Sequence, residues 1–473
     1  MPPRFGIIIY VVSGCPSASA VNLLNRSIFM DTKVVKFGGS SLADAAQFRK
    51  VADIVLSDKS RRYVVASAPG KRFSADTKVT DMLYSCYEKA SKGCDIEADF
   101  SLITDRYNGI ISELGLPLDL SREFEIIKNC FLGRAGRDYA ASRGEYLNSK
   151  VLAAFLGFEF LDAAEYIFFD ECGRFDLDRT TACLSQKLAE IEYAVIPGFY
   201  GAMPNDTIKT FSRGGSDVTG SIVARAAKAS LYENWTDVSG FLVCDPRIVS
   251  NPQVIDVSTY KELRELAYMG AGVLHEDAIF PVRTAGIPIN IRNTNNPSAA
   301  GTMIVADAGD VKSSLIITGI AGKKGFSVIY IEKDMMNSEL GFGRKVLEAL
   351  EDNKVSFEHL PSGIDTMSII VSSAELEGKH DEVIKAIEHA VHPDSVHIED
   401  DLALIAVVGR GMKETRGTAG RIFSALAHAH INVRMIDQGS SELNVIVGVR
   451  EADFESATKA VYEMFALSAT AQE

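Results

Sequence analysis

Short apolar runs alternate with longer helical patterns between residue 33 and about residue 305, and this alternation restricts the fold more than any other feature. The runs are KVVKF (33–37), YVVASA (63–68), FEFLDA (158–163), YAVIPGF (193–199) and IPINIRN (287–293), each bounded by Gly, Pro or Asn. They read as buried strands, and residues 43–57 and 220–229 between them read as helices. We therefore predict an α/β fold: an open, mostly parallel sheet covered by helices on both faces.

Ligands of such sheets bind beyond the carboxyl ends of the strands. The segments KVVKFGGSS, VVASAPGKR and VIPGFYG each leave a predicted strand. We expect all three to meet at one edge of the sheet.

The tail after the linker NTNNPSAAGT (293–302) contains an internal repeat. Residues 346–350, 355–357 and 367–371 match residues 422–426, 431–433 and 443–447 at a spacing of 76. Each copy predicts strand, helix, strand, turn, strand. Two such units are expected to pair their sheets, either as a regulatory ligand-binding module or as a plain dimerisation tail.

Composition narrows the class of protein. A net charge of −14 argues against a general nucleic-acid binder, so anionic ligands must meet locally placed lysines and arginines. Seven scattered cysteines without a C-x-x-C pair predict reduced thiols rather than a disulfide framework or a zinc site. The apolar run 5–15 is short for a membrane span, and no other candidate span exists. We expect residues 1–30 to be a non-native or disordered extension, with the natural start at Met30.

Two glycine pairs, each next to a cation, carry the first chemical signal. In Lys36-Phe37-Gly38-Gly39-Ser40-Ser41 the lysine precedes the glycines, so this is not the P-loop spacing. Adjacent glycines allow backbone N–H groups to approach phosphate oxygens, and a helix expected from Leu42 would add its positive end. In TFSRGGSD (210–217), Arg213 can grip a carboxylate and Asp217 either serves the site or caps the following helix.

Two further clusters are ambiguous from the residues alone. Glu145 follows Gly144 at an expected helix start, where a glutamate also simply stabilises the helix dipole. The stretch WTDVSGFLVCDPRIV (235–249) suits an adenine and ribose pocket but equally an ordinary loop.

In this order the clusters resemble the aspartokinases, amino-acid kinase family enzymes that phosphorylate the side-chain carboxylate of L-aspartate. The resemblance runs from residue 34 to about residue 462 and includes INVRMIDQGSSELNVIV (431–447). It implies a three-layer αβα kinase domain over residues 31–306, then two βαββαβ ACT modules over residues 315–390 and 391–468. It also implies a cytoplasmic enzyme that uses ATP with Mg²⁺, the metal being held mostly by ATP oxygens and water, without a protein metal site.

The resemblance implies a role for each matching position. Lys36, Phe37, Gly38 and Gly39 would hold the ATP phosphates, with Lys36 on the transferred group and Asp217 orienting Lys36 or the substrate ammonium. The nucleotide pocket would comprise Thr236, Asp237, Leu242, Arg247, Gly272 and Val273. Arg213 would hold the α-carboxylate of aspartate and Glu145 its ammonium, and the rest of that wall would be Ser67, Thr80, Gly214, Gly215 and Ser216.

Gly272 stands where many aspartokinases have a lysine, and Leu242 where an aromatic residue is common, so side-chain contacts to the nucleotide are expected to be weaker there. In the tail, Met336, Gly341, Phe342 and Glu358 would bind an amino-acid effector, lysine first and threonine second. A homodimer or a dimer of dimers through the ACT modules is implied.

Two alternatives remain beside a monofunctional aspartokinase. One is a related kinase acting on N-acetylglutamate, glutamate or UMP, and the other is an amino-acid sensor whose kinase part is inactive. Fusion to a homoserine dehydrogenase is not expected, because no dinucleotide-binding pattern follows the tail. The acceptor carboxylate is ionised at neutral pH, so no general base is required, in agreement with the absence of a histidine-centred triad pattern.

Overall fold

The computed structural model describes residues 31–212, 214–272, 274, 276–309 and 316–469. The predicted extension 1–30 lies outside these residues, as do Arg213 and Val273.

The first part of the chain builds ten strands and ten helices within the described residues. The strands are β1 (Lys33–Phe37), β2 (Arg61–Ala66), β3 (Glu159–Phe160), β4 (Ala194–Pro197), β5 (Tyr200–Ala202), β6 (Ile208–Thr210), β7 (Leu231–Thr236), β8 (Val257–Thr259), β9 (Ile289–Asn293) and β10 (Thr302–Val305). The helices are α1 (Ala45–Leu56), α2 (Val79–Ser91), α3 (Glu97–Leu114), α4 (Ser121–Leu132), α5 (Arg137–Leu156), α6 (Ala163–Tyr166), α7 (Leu177–Glu190), α8 (Gly215–Ala226), α9 (Tyr260–Tyr268) and α10 (Glu276–Ala285).

Eight of these strands form one sheet in the order β3-β4-β2-β1-β7-β9-β10-β8, with β5 and β6 in a separate hairpin. Every neighbouring pair is parallel except β9 and β10. The prediction of a mostly parallel sheet is confirmed.

Side chains of the central strands alternate between two apolar cores, because successive residues of a strand point to opposite faces. Val35 and Phe37 pack in the core that α1 to α5 cover. Val34 and Val65 pack in the other core, with α7 and α8. The sheet is thus the middle of three layers, and Lys36 lies on its α8 face.

Two boundaries differ from the predictions. The run 158–163 forms only the two-residue strand β3, because Asp162 caps α6 by accepting from the Ala164 N–H at 3.1 Å. The helix expected from Leu42 begins instead at Ala45, after a short 3₁₀ turn (Gly39–Leu42), since Asp44 caps it by accepting from the Gln47 N–H at 2.9 Å.

The tail forms a second, wholly antiparallel sheet. Its strands are β11 (Gly319–Glu332), β12 (Phe357–His359), β13 (Thr366–Ser372), β14 (Ser395–Val408), β15 (Met435–Asp437) and β16 (Asn444–Arg450), in the order β12-β13-β11-β14-β16-β15. The accompanying helices are α11 (Phe342–Asp352), α12 (Ser373–Leu376), α13 (His380–Val391), α14 (Thr418–His428) and α15 (Phe454–Ala469). Each copy begins with one of the long central strands β11 and β14, so the two copies share one sheet.

Candidate active site

Strand ends bring the first glycine pair to one edge of the parallel sheet. Beyond β1, the Gly38 N–H donates to the carbonyl of Trp235 at 3.1 Å, and the Ser67 N–H donates to the carbonyl of Phe37 at 3.2 Å. The Gly198 N–H donates to the carbonyl of Ala66 at 3.0 Å. The three segments expected to meet at one edge do so.

Gly39 and Gly70 approach each other too closely for side chains. The Gly70 N–H donates to the carbonyl of Gly39 at 2.8 Å, and a Cβ on Gly39 would lie 2.9 Å from the carbonyl oxygen of Ala68. Any side chain here would push the two loops apart. The glycine therefore keeps this turn tight against the loop after β2.

The second glycine pair begins α8. Gly214 precedes the helix with φ of 56°, a left-handed conformation that favours glycine, and Gly215 lies against Phe199. Asp217 stands in the first turn of α8. This helix start faces the end of β1, and Arg213, immediately before it, lies outside the described residues.

Lys36 and Asp217 form an ion pair across the two turns. The Lys36 Nζ lies 2.7 Å from Asp217 Oδ1, and the lysine side chain is 9% exposed. The amide of Asn234 contacts both groups: its Nδ2 donates to Asp217 Oδ1 at 2.8 Å, and its Oδ1 accepts from Lys36 at 3.4 Å. Asn234 is not among the predicted site residues, although two adjacent polar residues, Glu233 and Asn234, inside an otherwise apolar strand could have indicated it.

Glu145 lies in the middle of α5, not at a helix start as expected. Helix α5 passes close to the loop after β2 because Gly144 has no side chain: a Cβ there would lie 2.8 Å from Ala68 Cβ. The carboxylate of Glu145 is buried and its Oε2 has no hydrogen-bond partner. Burial raises the pKa of Glu145 to about 8, against the opposing effects of the Ala68 N–H and the charge of Arg143.

A pocket of about 290 Å³ joins these elements. Its lining comes from both glycine turns, from the predicted hydroxyl and acid positions, and from one residue that the sequence analysis missed, Phe199. The lining residues are Lys36, Gly38, Gly39, Ser67, Thr80, Glu145, Phe199, Gly214, Gly215, Ser216 and Asp217. A cation, two glycine turns and a buried carboxyl thus face one cavity.

The predicted nucleotide residues are spread more widely and do not line this pocket. Thr236 and Asp237 follow β7 at the same sheet edge, and the Thr236 hydroxyl donates to Asp237 at 3.2 Å. Arg247 is exposed and pairs with Asp245 at 2.6 Å. Leu242 bridges to Val254, Gly272 has open space around its Cα, and Val273 lies outside the described residues. These assignments stay predictions.

Three of the four predicted effector residues lie around the start of α11, and the fourth, Glu358, lies apart from them on β12. Met336 and Phe342 are buried, and Gly341 precedes α11 with φ of 82°. Glu358 stands on the edge strand β12, where its carboxylate accepts a hydrogen bond from the Tyr268 hydroxyl of α9. This contact with the first part of the chain was not foreseen.

The described residues contain neither a metal-ligand cluster nor a candidate membrane span. Among them, no group of three or more His, Cys, Asp or Glu side chains could hold a metal ion. In the same part of the chain, no helix combines the length and the apolar character needed to cross a bilayer.

The matches to known protein families divide the chain into the same two parts. The amino acid kinase family model matches residues 31–293, and an ACT domain model matches residues 405–465. Aspartokinase 3 of Bacillus subtilis is 41% identical over 92% of this chain and 98% of its own length. Aspartokinase 1 of Arabidopsis thaliana, a chloroplast protein, is 28% identical over 92% of this chain and 80% of its own length.

Solved structures show the same similarity. Aspartate kinase from Clostridium acetobutylicum has 53% identity and a TM-score of 0.83, covering 92% of this chain and 100% of its own. Aspartokinase III of E. coli, in complex with aspartate and ADP, has 23% identity and a TM-score of 0.69, covering 92% of this chain and 99% of its own. At that identity the second likeness concerns the fold alone.

Proposed function

The chain belongs to the aspartokinase family, and we propose that it transfers the γ-phosphate of ATP to the side-chain carboxylate of L-aspartate, forming 4-phospho-L-aspartate. The observation that carries this proposal is the pocket in which Lys36, both glycine turns and the buried Glu145 face one another. The reaction begins the synthesis of the aspartate-derived amino acids lysine, threonine and methionine.

The phosphate half of the site is the turn after β1. The Gly38-Gly39 turn seats the phosphates: Gly38, whose N–H donates to the carbonyl of Trp235, fixes the turn, and the Gly39 N–H holds a phosphate oxygen. Lys36 neutralises charge on the phosphoryl group that is transferred. Two anions must approach each other in this reaction, so positioning and charge neutralisation are the main sources of rate. Asp217 keeps Lys36 directed into the pocket.

The aspartate half is formed by α5, α8 and the loop after β2. Glu145 pairs with the α-ammonium, and Arg213 with the α-carboxylate. Ser67, Thr80 and the wall formed by Gly214, Gly215 and Ser216 place the side-chain carboxylate against the phosphate. This carboxylate is already ionised at neutral pH, so the pocket needs no general base.

Mg²⁺ enters bound to ATP in this proposal. The pocket supplies a cation and N–H donors rather than a carboxylate cage, a donor set that suits a metal held by phosphate oxygens and water. The bound metal would neutralise charge on the triphosphate. Thr236, Asp237, Leu242, Arg247, Gly272 and Val273 form the nucleotide pocket in this proposal.

The tail is proposed to bind an end-product amino acid, lysine first and threonine second. E. coli aspartokinase III, which shares the fold, has been crystallised with lysine and aspartate. We assign residues 31–306 to the catalytic domain and residues 315–390 and 391–468 to two ACT modules. Met336, Gly341, Phe342 and Glu358 form the effector site between α11 and β12.

A dimer, or a dimer of dimers, through the ACT modules completes the proposal. The edge strand β12 leaves Phe357 exposed beside an open groove of about 490 Å³ that α11 borders. Light scattering that gives two or four times the mass of one chain supports this assembly; the mass of one chain opposes it.

A cytoplasmic location is proposed because the six described cysteines are all unpaired.

An ATP-dependent hydroxamate assay tests the activity directly. Hydroxylamine traps the acyl phosphate, and we expect product with L-aspartate but not with glutamate, N-acetylglutamate or UMP. Lys36→Ala is expected to lower kcat by about 10² to 10³, the usual loss for one group that stabilises transferring charge. Lys33→Ala is the matched control, because Lys33 lies on the same strand but pairs with Asp58 at 2.8 Å, away from the pocket.

Product with another acid and none with aspartate would overturn the substrate assignment. Equal turnover in Lys36→Ala and Lys33→Ala would remove Lys36 from the chemistry. No product with any acid, despite ATP binding, would indicate a sensor with an inactive kinase part.

A further inference from the structure

Asn234 is a buried polar residue to which none of the predicted roles applies. It lies on β7, is 3% exposed, and is the register partner of Lys36 on β1. Register partners in parallel strands point to the same face of the sheet. Asn234 therefore stands beside Lys36 on the α8 face, next to Asp217.

The three side chains form a closed triangle. Lys36 Nζ and Asp217 Oδ1 are 2.7 Å apart, the Asn234 amide donates to the same Oδ1 at 2.8 Å, and Lys36 reaches the Asn234 oxygen at 3.4 Å. An ammonium only donates hydrogen bonds and a carboxylate only accepts them. The amide of Asn234 must therefore direct its oxygen to Lys36 and its nitrogen to Asp217.

The neutral amide of Asn234 restrains Lys36 without adding a second charge. A lysine held by one carboxylate can swing about that contact, because its side chain has four rotatable bonds. Asn234 adds a second, neutral acceptor, so two of the three ammonium N–H groups have protein partners and the third is left for a ligand. At the same time, its N–H group holds Asp217 in place.

We propose that Asn234 is a positioning residue for phosphoryl transfer: through its amide it sets the direction of Lys36 and the place of Asp217 relative to the transferred phosphate. This inference rests on the proposed function of the pocket. Its effect is expected in kcat rather than in substrate binding, since a misdirected Lys36 weakens interactions of the transition state more than those of bound ATP.

Asn234→Leu tests the inference, because leucine has nearly the same size but cannot form either hydrogen bond. We expect kcat to fall by about 10 to 10², the order of loss that follows a misplacement near 1 Å. The KM values for ATP and aspartate are expected to stay within about threefold, since the binding groups remain in place. Asn290→Leu is the control, an asparagine on the neighbouring strand β9 that does not line the pocket.

Asn234→Asp provides a readout that a merely structural residue would not change. The groups around the new carboxyl are Lys36 on β1, Asp217 on α8, the Tyr232 hydroxyl on β7 and, across the pocket, Glu145 on α5. When protonated, the new carboxyl can donate to Asp217 as the amide does; when ionised, it repels Asp217 and competes for Lys36. The kcat of the variant relative to that of the wild-type protein should therefore fall as pH rises from 6 to 9.

The possible outcomes distinguish a failure of the proposed function from a failure of the positioning role. If the wild-type protein forms no aspartyl hydroxamate, the proposed function fails. If the wild-type protein is active and Asn234→Leu retains its kcat, or loses activity only in proportion to its folded fraction by thermal unfolding, the positioning role is wrong. A pH profile of Asn234→Asp parallel to that of the wild-type protein would also refute it.

Discussion

At the scale of one residue, Glu145 shows how the packing of a helix changes the pKa of a side chain. The residue was expected at a helix start, but it lies inside α5, where the neighbouring Gly144 lets the helix approach the loop after β2. The approach buries the carboxyl, raises its pKa to about 8 and leaves Oε2 without a partner. A substrate ammonium is the partner that would restore the charged form.

We predict that aspartate binding releases a proton near pH 7. Glu145 is mostly protonated there, and pairing with an ammonium requires it to ionise, so affinity should rise with pH by up to about tenfold per unit below the raised pKa. Calorimetry in phosphate and in Tris should therefore give different apparent binding enthalpies. Identical enthalpies in both buffers would contradict the prediction.

Glu145→Gln is the control for this linkage, and its binding enthalpy should not depend on the buffer.

The raised pKa of Glu145 also predicts the sign of the residue's effect on the stability of the folded protein. In the unfolded chain Glu145 ionises near its usual value of 4.5, while the folded protein keeps the proton up to about pH 8. Between these values the stability of the wild-type protein should fall as pH rises, and Glu145→Gln should remove that part of the dependence.

Helix α9 is one of the elements that connect the two sheets. Three of its side chains, spaced three residues apart, contact the tail: Glu262 accepts from Thr318 at 2.6 Å, Glu265 accepts from Asn444 at 2.6 Å, and Tyr268 donates to Glu358. Residues three apart lie near one face of a helix. One face of α9 thus touches both repeats of the tail, and its last contact reaches the proposed effector site.

We predict that Tyr268→Phe weakens inhibition by the effector, leaving basal activity unchanged. The ring remains, but the hydrogen bond that joins Glu358 to α9 is lost, so the effector site and the kinase part are less strongly coupled. The half-inhibitory concentration of lysine should rise in the hydroxamate assay. Lys261→Ala, an exposed position on the same helix, should leave it unchanged; equal values for both variants would exclude this contact from coupling.

Glu262 acts at the scale of the whole molecule, because its fully buried carboxylate accepts hydrogen bonds from both parts of the chain. Its carboxylate accepts from the Arg410 N–H at 2.8 Å and from the Arg410 guanidinium at 3.0 Å, in addition to Thr318 and the Thr259 cap of α9. Burial works to raise the pKa of Glu262, but these hydrogen bonds outweigh it and hold the pKa below its usual value. Its stabilising effect is therefore present above the ordinary glutamate pKa and lost as pH falls through the lowered one.

We predict that Glu262→Ala lowers the free energy of unfolding by about 3 to 5 kcal/mol, as expected when one partner of a buried ion pair is removed. Calorimetry should also show the two parts of the chain unfolding separately. Asp99→Ala, which removes the more exposed pair of Asp99 with Lys89, should leave the melting temperature nearly unchanged. A single, unshifted transition in Glu262→Ala would show that this contact does not hold the parts together.

The fold class, the repeated tail and both glycine turns could be predicted from the sequence alone. They depend on short-range patterns: strand and helix periodicity, glycine pairs beside a cation, and a spacing of 76 residues that recurs between the long strands β11 and β14. Such patterns are written in consecutive residues, so no tertiary information is needed to recognise them.

Only the tertiary structure decided which side chains meet. Lys36 and Asn234 are 198 residues apart and become neighbours through the register of β1 against β7, while α8 brings Asp217 to both. Likewise, the burial of Glu145 and the contacts of α9 depend on how closely whole elements pack. Hydrogen-bond geometry and desolvation act between such distant residues, and no local pattern encodes them.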